Sequence, residues 1–341
     1  MKAAVMEQRG QPLLVKDIAD PLPPAEDEVL IDVMAAGICH TDLHIQDGLF
    51  SDLGIELFPL VPGHETVGVV REVGSSVSHL LPGDRVGVYW IYPCGHCSYC
   101  FSGEEQACAS YLPRMDANGF ARQGGFATTI KIPADHALKL PETLSFAKAA
   151  PLLCGGMTVY AGLKKAHLRP GQRVAILGIG GLGHLAIQIA KAMGAEVIAA
   201  TSTASKRDLA IELGARDVVV GGGDIGAKLK DLGGVDVVLS STLDSAAIAS
   251  VTAALRPLGT VVLTGFTSDP IPVVPLALAV SQQSVIGSLI ASRRDTEELL
   301  QLAAQQRIEA ISESFSLEEV NLAYEKLRKN DVRYRAVLCP N

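Results

Sequence analysis

Four cysteines crowd into fifteen residues as Cys94-x2-Cys97-x2-Cys100-x7-Cys108. Four thiolates on one loop can converge tetrahedrally on Zn2+ and close its coordination shell, which leaves no position for a substrate and makes the site structural. An iron–sulfur cluster is the rival, but the bacterial ferredoxin run ends C-x3-C-P, not C-x7-C. His96, inside the loop, could replace one sulfur. Three further potential ligands lie far apart in the chain: Cys39 in Cys39-His40-Thr41-Asp42-Leu43-His44, His64 in Pro62-Gly63-His64-Glu65, and Cys154 in Cys154-Gly155-Gly156. One histidine and two cysteines give a catalytic zinc shell with one position open. Spacing alone does not unite them, because a lone histidine or cysteine is usually just packed.

Gly178-Ile179-Gly180-Gly181-Leu182-Gly183 follows the apolar run VAIL, opens a helical pattern and precedes a second strand-like run. That context turns a weak glycine motif into a dinucleotide-binding loop. Gly178 allows the tight turn, Gly180 lets the backbone approach a pyrophosphate at the helix N-terminus, and Gly183 permits close helix–strand packing. The acid expected at the end of the second strand is missing. Thr201, Ser202 and Thr203 can instead donate to a 2′-phosphate, with Lys206 or Arg207 supplying charge. This favours NADP over NAD. The plainer reading is that Lys206 and Arg207 only solvate the first turn of the next helix.

Two kinds of element must position these groups. Residues 1–150 read as short strands between turns: Ala3–Met6, Val29–Ala35, Glu65–Val73, Arg85–Trp90, Phe126–Ile132 and Ala137–Leu140. They predict an all-β, barrel-like domain with long loops. From about Pro170, apolar runs alternate with helical patterns. The strands are Arg173–Leu177, Glu196–Ala200, Asp217–Val220, Val235–Ser240, Thr260–Thr264 and Ser284–Ile290; the helices cover 181–193, 205–213, 224–232, 244–255 and 272–280. This is a doubly wound α/β domain. Two helices, Asp295–Gln306 and Leu317–Lys329, and a strand, Tyr334–Leu338, end the chain and are expected to complete the first domain.

Composition narrows the function. The 341 residues carry a formal charge of −8, which argues against a broad basic face for nucleic acid. No run approaches the length of a clean membrane helix, and the N-terminus lacks the pattern of a signal peptide. An odd count of seven cysteines, four of them clustered, fits metal binding in a reducing compartment, so a cytoplasmic location is expected.

Taken in order, the Cys39–His44 segment, Pro59-x-x-Pro62-Gly63-His64-Glu65-x-x-Gly68, the four-cysteine loop, Cys154-Gly-Gly-x-Thr158 and the glycine loop closely resemble the zinc-dependent alcohol dehydrogenases of the medium-chain dehydrogenase/reductase superfamily. The segment at Thr201 looks more like the cinnamyl-alcohol-dehydrogenase branch. The resemblance implies a GroES-like catalytic domain (1–150, completed by 293–341) and a Rossmann cofactor domain (151–292). It implies two zinc ions per subunit and NAD(P)(H). It assigns Cys39, His64 and Cys154 to the catalytic zinc, with Glu65 able to approach the metal and Asp42 orienting His64. Thr41 and His44 look like a proton relay. His40 and Arg335 resemble the positive groups near the pyrophosphate, and Thr158 the residue that packs on nicotinamide. Trp90, Leu49 and Phe50 are candidates for the pocket of a small alcohol or aldehyde. A homo-oligomer is implied, with a tetramer favoured and a dimer possible. The competing readings are an aldehyde reductase of the same fold, a zinc-free quinone-reductase-like relative, and a non-enzymatic zinc module.

Overall fold

The computed structural model describes residues 1–52, 54–55, 57–222, 224–265 and 269–341. The chain divides into two units, Met1–Cys154 with Ser292–Asn341, and Gly155–Ala291. The first division follows Cys154, so Cys39, His64 and Cys154 all belong to one unit.

The first unit opens with an antiparallel hairpin, β1 (Lys2–Val5) and β2 (Leu14–Asp17). It continues with β3 (Glu28–Ile38), α1 (His40–Asp47), β4 (Glu65–Val73), β5 (Arg85–Val88), β6 (Thr129–Pro133) and β7 (Ala137–Lys139). The second unit contains α2 (Gly155–Lys165), β8 (Arg173–Leu177), α3 (Gly183–Ala192), β9 (Glu196–Thr201), α4 (Arg207–Leu213), β10 (Asp217–Val220), α5 (Ile225–Asp231), β11 (Val235–Ser240), α6 (Ser245–Thr252), β12 (Leu255–Leu263), α7 (Pro275–Ser281) and β13 (Ser284–Gly287). The chain then returns to the first unit with α8 (Arg293–Gln306), β14 (Ser312–Ser316), α9 (Val320–Arg328) and β15 (Arg335–Cys339).

In the first unit the sheet order is β14-β15-β3-β4-β5-β7, with β6 also paired to β3. Every ladder in it is antiparallel except β14–β15. β3 is the hub, because β4, β6 and β15 all pair with it. Its last residues, Ala35-Ala36-Gly37-Ile38, are small or apolar and fully buried, and they lead to the half-buried Cys39. Gly37 stands opposite Glu65 in the β3–β4 register. A Cβ on Gly37 would fall 2.0 Å from a Glu65 carboxylate oxygen, so glycine leaves the acid its space.

The sequence pattern suggested only strands and loops before residue 150, and α1 corrects that expectation. Asp42 accepts the Cys39 N–H at 2.8 Å and so caps the helix start. Gly48 ends it with φ 89°, its N–H reaching the His44 and Ile45 carbonyls. The buried side of α1 is made of Asp42, Leu43, Ile45 and Gln46. The short strands β2 and β14 and the helix α2 also escaped the pattern, while Trp90 and Phe126 lie outside the strands expected to contain them. At the far end of α1, Arg328 of α9 grips Asp47 with two hydrogen bonds, at 2.9 and 2.5 Å, and Gln46 with a third, at 2.7 Å.

The second unit is a six-stranded parallel sheet in the order β10-β9-β8-β11-β12-β13. The order reverses between β8 and β11, the switch point at which such sheets bind dinucleotides beyond the strand carboxyl ends. Ile198, Val238 and Val261 on the sheet pack with Leu229, Ile248 and Val251 from α5 and α6. The helix α7 behaves differently from the covering helix expected there. Leu276 and Val280 are 73% and 75% exposed, and none of its residues is buried. Among the described residues no helix is long and apolar enough to cross a membrane.

The Arg328 clamp gives a test. Its hydrogen bond and charge hold the Asp47 carboxyl below the ordinary 3.8. The pair's contribution is therefore fully present above pH 3.8 and is lost as pH falls through the lower folded-state value. Both side chains are substantially exposed, so Asp47→Asn should cost no more than about 1 kcal/mol at neutral pH. The gap to wild type should close below pH 3.8, as denaturant titrations at neutral and acid pH will measure.

Candidate metal centres and dinucleotide loop

Strand β3 and the cap of α1 place Cys39, the start of β4 places His64 and Glu65, and the chain before α2 places Cys154. The four residues each offer a ligand atom within 4.8 Å of the others. The Cys39 and Cys154 sulfurs are 3.9 Å apart. Two thiolates on a tetrahedral zinc, each with a bond of about 2.3 Å, sit about 3.8 Å apart, so the donor set and its spacing fit zinc. Two sulfurs and an imidazole are also the softer donors that zinc accepts readily. The hydrogen bond from Cys154 pulls the Cys39 thiol well below its ordinary value, and His64 adds to the effect. A thiolate is the form that ligates metal.

The groups behind these ligands are buried more deeply than the half-buried Cys39 and Cys154. Asp42 Oδ1 lies 3.5 Å from His64 Nδ1, with both side chains withdrawn from solvent. Glu65 is buried in an ion pair with Arg335, the first residue of β15. Burial pushes the Glu65 carboxyl up to about 7, with Arg335 opposing it. Its second oxygen, Oε2, has no hydrogen-bond partner among the described residues, nor has Arg335 Nε. Arg335, expected near a pyrophosphate, thus directs its guanidinium at Glu65.

The other expected site residues divide. The Cys39 sulfur is 3.4 Å from Thr41 Oγ1. His44 lies one turn on along α1 and is half-buried, while His40 is exposed at the helix start. The Trp90 ring packs on His64 at 5.0 Å, with its indole N–H donated to the Leu153 carbonyl. Phe120 stacks on Trp90 at 5.7 Å and tilts onto His64 at 5.4 Å, and Phe50 meets its ring edge-on at 5.6 Å. Sequence reasoning missed Phe120, whose only local signal is Asn118-Gly119 before it. Leu49 is 43% exposed on the short turn Leu49–Asp52.

The four-cysteine loop also forms a cluster. Cys94, Cys97, Cys100 and Cys108 each offer a sulfur within 4.8 Å of the others. Cys94–Cys100 and Cys97–Cys100 are 4.0 and 3.5 Å apart, again a tetrahedral thiolate spacing. Against a burial penalty, the N–H groups of Cys94, Ser110 and Tyr111 bring the Cys108 thiol down to about 6. His96 stands outside the cluster, with its Nδ1 on the Cys94 carbonyl. Glu105, within the loop, accepts the Arg293 N–H at 3.0 Å and so ties the loop to the start of α8. Cys339 belongs to neither cluster.

In the second unit, Gly178 takes φ +94° and Gly180 has open space where a Cβ would stand. That opening, in front of the N-terminus of α3, suits a pyrophosphate held by backbone N–H groups. Gly181 and Leu182 lead into α3, and a Cβ on Gly183 would strike the Gly178 carbonyl at 1.9 Å. β9 ends at Thr201, whose hydroxyl accepts the Thr203 N–H at 3.1 Å, and Ser202 and Thr203 are exposed beyond it. Lys206 reaches back to the Ile179 carbonyl of the glycine loop at 2.8 Å, whereas Arg207 turns to the Val218 carbonyl. The Thr158 hydroxyl donates to the Leu289 carbonyl.

Two families match the chain, the alcohol dehydrogenase GroES-like domain over residues 25–142 and the zinc-binding dehydrogenases over 181–305. An alcohol dehydrogenase of Geobacillus stearothermophilus is 42% identical over 99% of both chains. The structure of a cinnamyl alcohol dehydrogenase from Sorghum bicolor aligns at TM-score 0.87 and 33% identity, covering 99% of this chain and 97% of that one. That of acetophenone reductase from Geotrichum candidum, in complex with NAD, aligns at TM-score 0.86 and 29% identity, covering 99% and 96%.

Gly183→Ala should be severe for the loop, because the obstacle is backbone rather than a movable side chain. Affinity for a nicotinamide dinucleotide, read by fluorescence titration, should fall at least about tenfold. Zinc content should be unchanged.

Proposed function

The chain belongs to the zinc-dependent alcohol dehydrogenases of the medium-chain dehydrogenase/reductase superfamily, and from that premise we propose a reversible oxidation of a primary or secondary alcohol to its carbonyl with NAD(P)+ as hydride acceptor. The observation that carries this reading is the convergence of Cys39, His64 and Cys154 in the first unit. When bound there, zinc supplies a Lewis acid to the alcohol oxygen. Thr41, beside Cys39, takes up the substrate proton. His44, three residues on and therefore on the same helix face, exchanges it with solvent. Asp42 orients the His64 ring. Arg335 neutralises Glu65 and keeps that carboxylate from burdening the site with unpaired charge. Trp90, Phe120 and Phe50 make an apolar wall beside His64 that suits an aromatic or allylic substrate and excludes water. Leu49, exposed, has the weakest claim to the pocket.

The glycine loop and the N-terminus of α3 hold the pyrophosphate of the cofactor, and His40 and the remaining donor of Arg335 are further candidates for it. Thr158 is assigned to nicotinamide packing. The absence of an acid at the end of β9 and the hydroxyls of Thr201, Ser202 and Thr203 support NADP over NAD. Lys206 supports it too, because its ammonium is held on the glycine loop. Arg207, committed to Val218, is the weaker contributor. Cys94, Cys97, Cys100 and Cys108 hold the structural zinc, giving two ions per subunit. The exposed apolar α7 beside the edge strand β13 supports a homo-oligomer, for which a tetramer is the expected assembly. Two thiol clusters fit the cytoplasm.

Metal counting separates the two ions. Wild type should carry two zinc ions per chain. Cys39→Ser should lose one ion and turnover while keeping its fold, and full turnover by that variant would refute the mechanism. Cys97→Ser should lose the other ion and melt at a lower temperature. For the cofactor, kcat/KM with NADPH should exceed that with NADH across a panel of alcohols and aldehydes. Thr201→Asp should reverse the preference, and a strong wild-type preference for NADH would overturn the assignment.

A further inference from the structure

The helix α9 carries a tyrosine whose chemistry the reaction above does not use. Tyr324 is 3% exposed, and its ring meets Phe126 edge-on at 6.4 Å. Phenylalanine would serve that packing equally. Yet the hydroxyl is buried, and it has no hydrogen-bond partner among the described residues. A buried hydroxyl left unpaired costs about 1–3 kcal/mol. Such a group in a native interior is normally satisfied, by protein or by water.

A matching orphan stands on α1. The buried Asp42 carboxylate accepts the Cys39 N–H on Oδ2, while Oδ1 has no hydrogen-bond partner among the described residues. An ionised carboxylate offers about four acceptor positions. Tyr324 and Arg328, four residues apart, share one face of α9, Asp42 and Gln46 share one face of α1, and Arg328 joins the two faces by its bond to Gln46. Burial pushes the Tyr324 phenol well up, with the charge of Asp42 adding to it and that of Arg328 opposing it. The phenol therefore keeps its proton and is a permanent donor.

We propose that Tyr324 is a positioning residue for the metal-binding histidine: its hydroxyl donates through one buried water to Asp42, which holds the ring of His64. A water so placed meets a phenol donor and a carboxylate acceptor, the polar setting that retains buried water. Asp42 then has a fixed direction, and His64 Nδ1, 3.5 Å from Oδ1, faces an oriented acceptor. The Arg328 clamp on Asp47 sets the distance between the helices on which this bridge depends. The proposal rests on the reading that Cys39, His64 and Cys154 hold a metal ion.

The test compares wild type, Tyr324→Phe, Asp42→Asn and the double variant as full-length zinc proteins. Three quantities are read: zinc equivalents per chain, the rate at which 1,10-phenanthroline extracts the catalytic ion, and the visible spectrum after cobalt(II) replaces that ion. Outer partners of metal-bound histidines typically change affinity 10–100-fold, and Tyr324 acts one step further out. Tyr324→Phe should therefore keep both ions and its melting temperature, release the catalytic ion about three- to tenfold faster, and shift the cobalt bands. Asp42→Asn should release faster still, and the double variant should match Asp42→Asn alone, because the tyrosine acts through the aspartate. Release and spectrum identical to wild type in Tyr324→Phe would overturn the proposal. So would multiplying effects in the double variant, which would mark Tyr324 as a packing residue only. A wild type holding one ion or none would defeat the metal reading and this proposal with it, whereas two ions with an unaffected Tyr324→Phe would defeat the tyrosine's role alone.

Discussion

The first unit is organised around the difficulty of holding several acceptor groups together away from water. The half-buried Cys39 and Cys154 bring two sulfurs against the buried imidazole of His64 and the buried carboxylates of Asp42 and Glu65. Like charges at that spacing repel strongly where the dielectric is low, and an unpaired buried charge is costly. Each group has a specific answer. Arg335 offsets Glu65, the Cys39 N–H and His64 face Asp42, and the sulfurs are spaced for a divalent cation. The answers come from four directions in the fold, the end of β3, the cap of α1, the start of β4 and the start of β15. All of these elements meet at or beside β3, so the pairing of that one strand controls the geometry of the centre.

The two sulfur clusters show how the same donors serve different ends. The four-cysteine loop takes all its ligands from fifteen consecutive residues, and its carboxylate Glu105 anchors α8. Its geometry is set locally. The other cluster gathers residues 39, 64 and 154, and its geometry is set by strand pairing. A local cluster can be completed by the loop alone, whereas the dispersed one requires the sheet to be formed.

Legibility in the sequence follows that distinction. The four-cysteine loop and the glycine loop are short-range patterns with a mechanism, and both were readable from spacing. The alternation of strands and helices after Pro170 was equally plain, because buried parallel strands are continuous apolar runs. Cys39, His64 and Cys154 could be joined only through the resemblance to a known family, since strand pairing unites them and spacing does not. The helix α1 was hidden because its polar residues, Thr41, Asp42 and Gln46, interrupt the apolar period, and its start is marked by Asp42 capping Cys39 rather than by a serine or threonine. Tyr324 carried no signal and Phe120 only the turn-forming Asn118-Gly119 before it, because the groups they pack against lie far away in sequence. The outward-facing apolar side of α7 misled in the opposite sense, since an apolar helix reads as buried against its own sheet.

The order in which the parts leave the ribosome has a consequence of its own. Gly155–Ala291 is one uninterrupted stretch and contains every strand of the parallel sheet. The first unit is split around it, and its hub strand β3 gains the partner β15 only after that whole stretch has been made. Until then Glu65 has no Arg335 beside it, and Asp42 and His64 lack the helix α9. The nascent chain can therefore finish its parallel-sheet unit while β3, the strand that leads to Cys39, still lacks β15 beside it. The β3–β15 ladder and the buried Glu65–Arg335 pair are thus the last parts of the first unit that synthesis makes available.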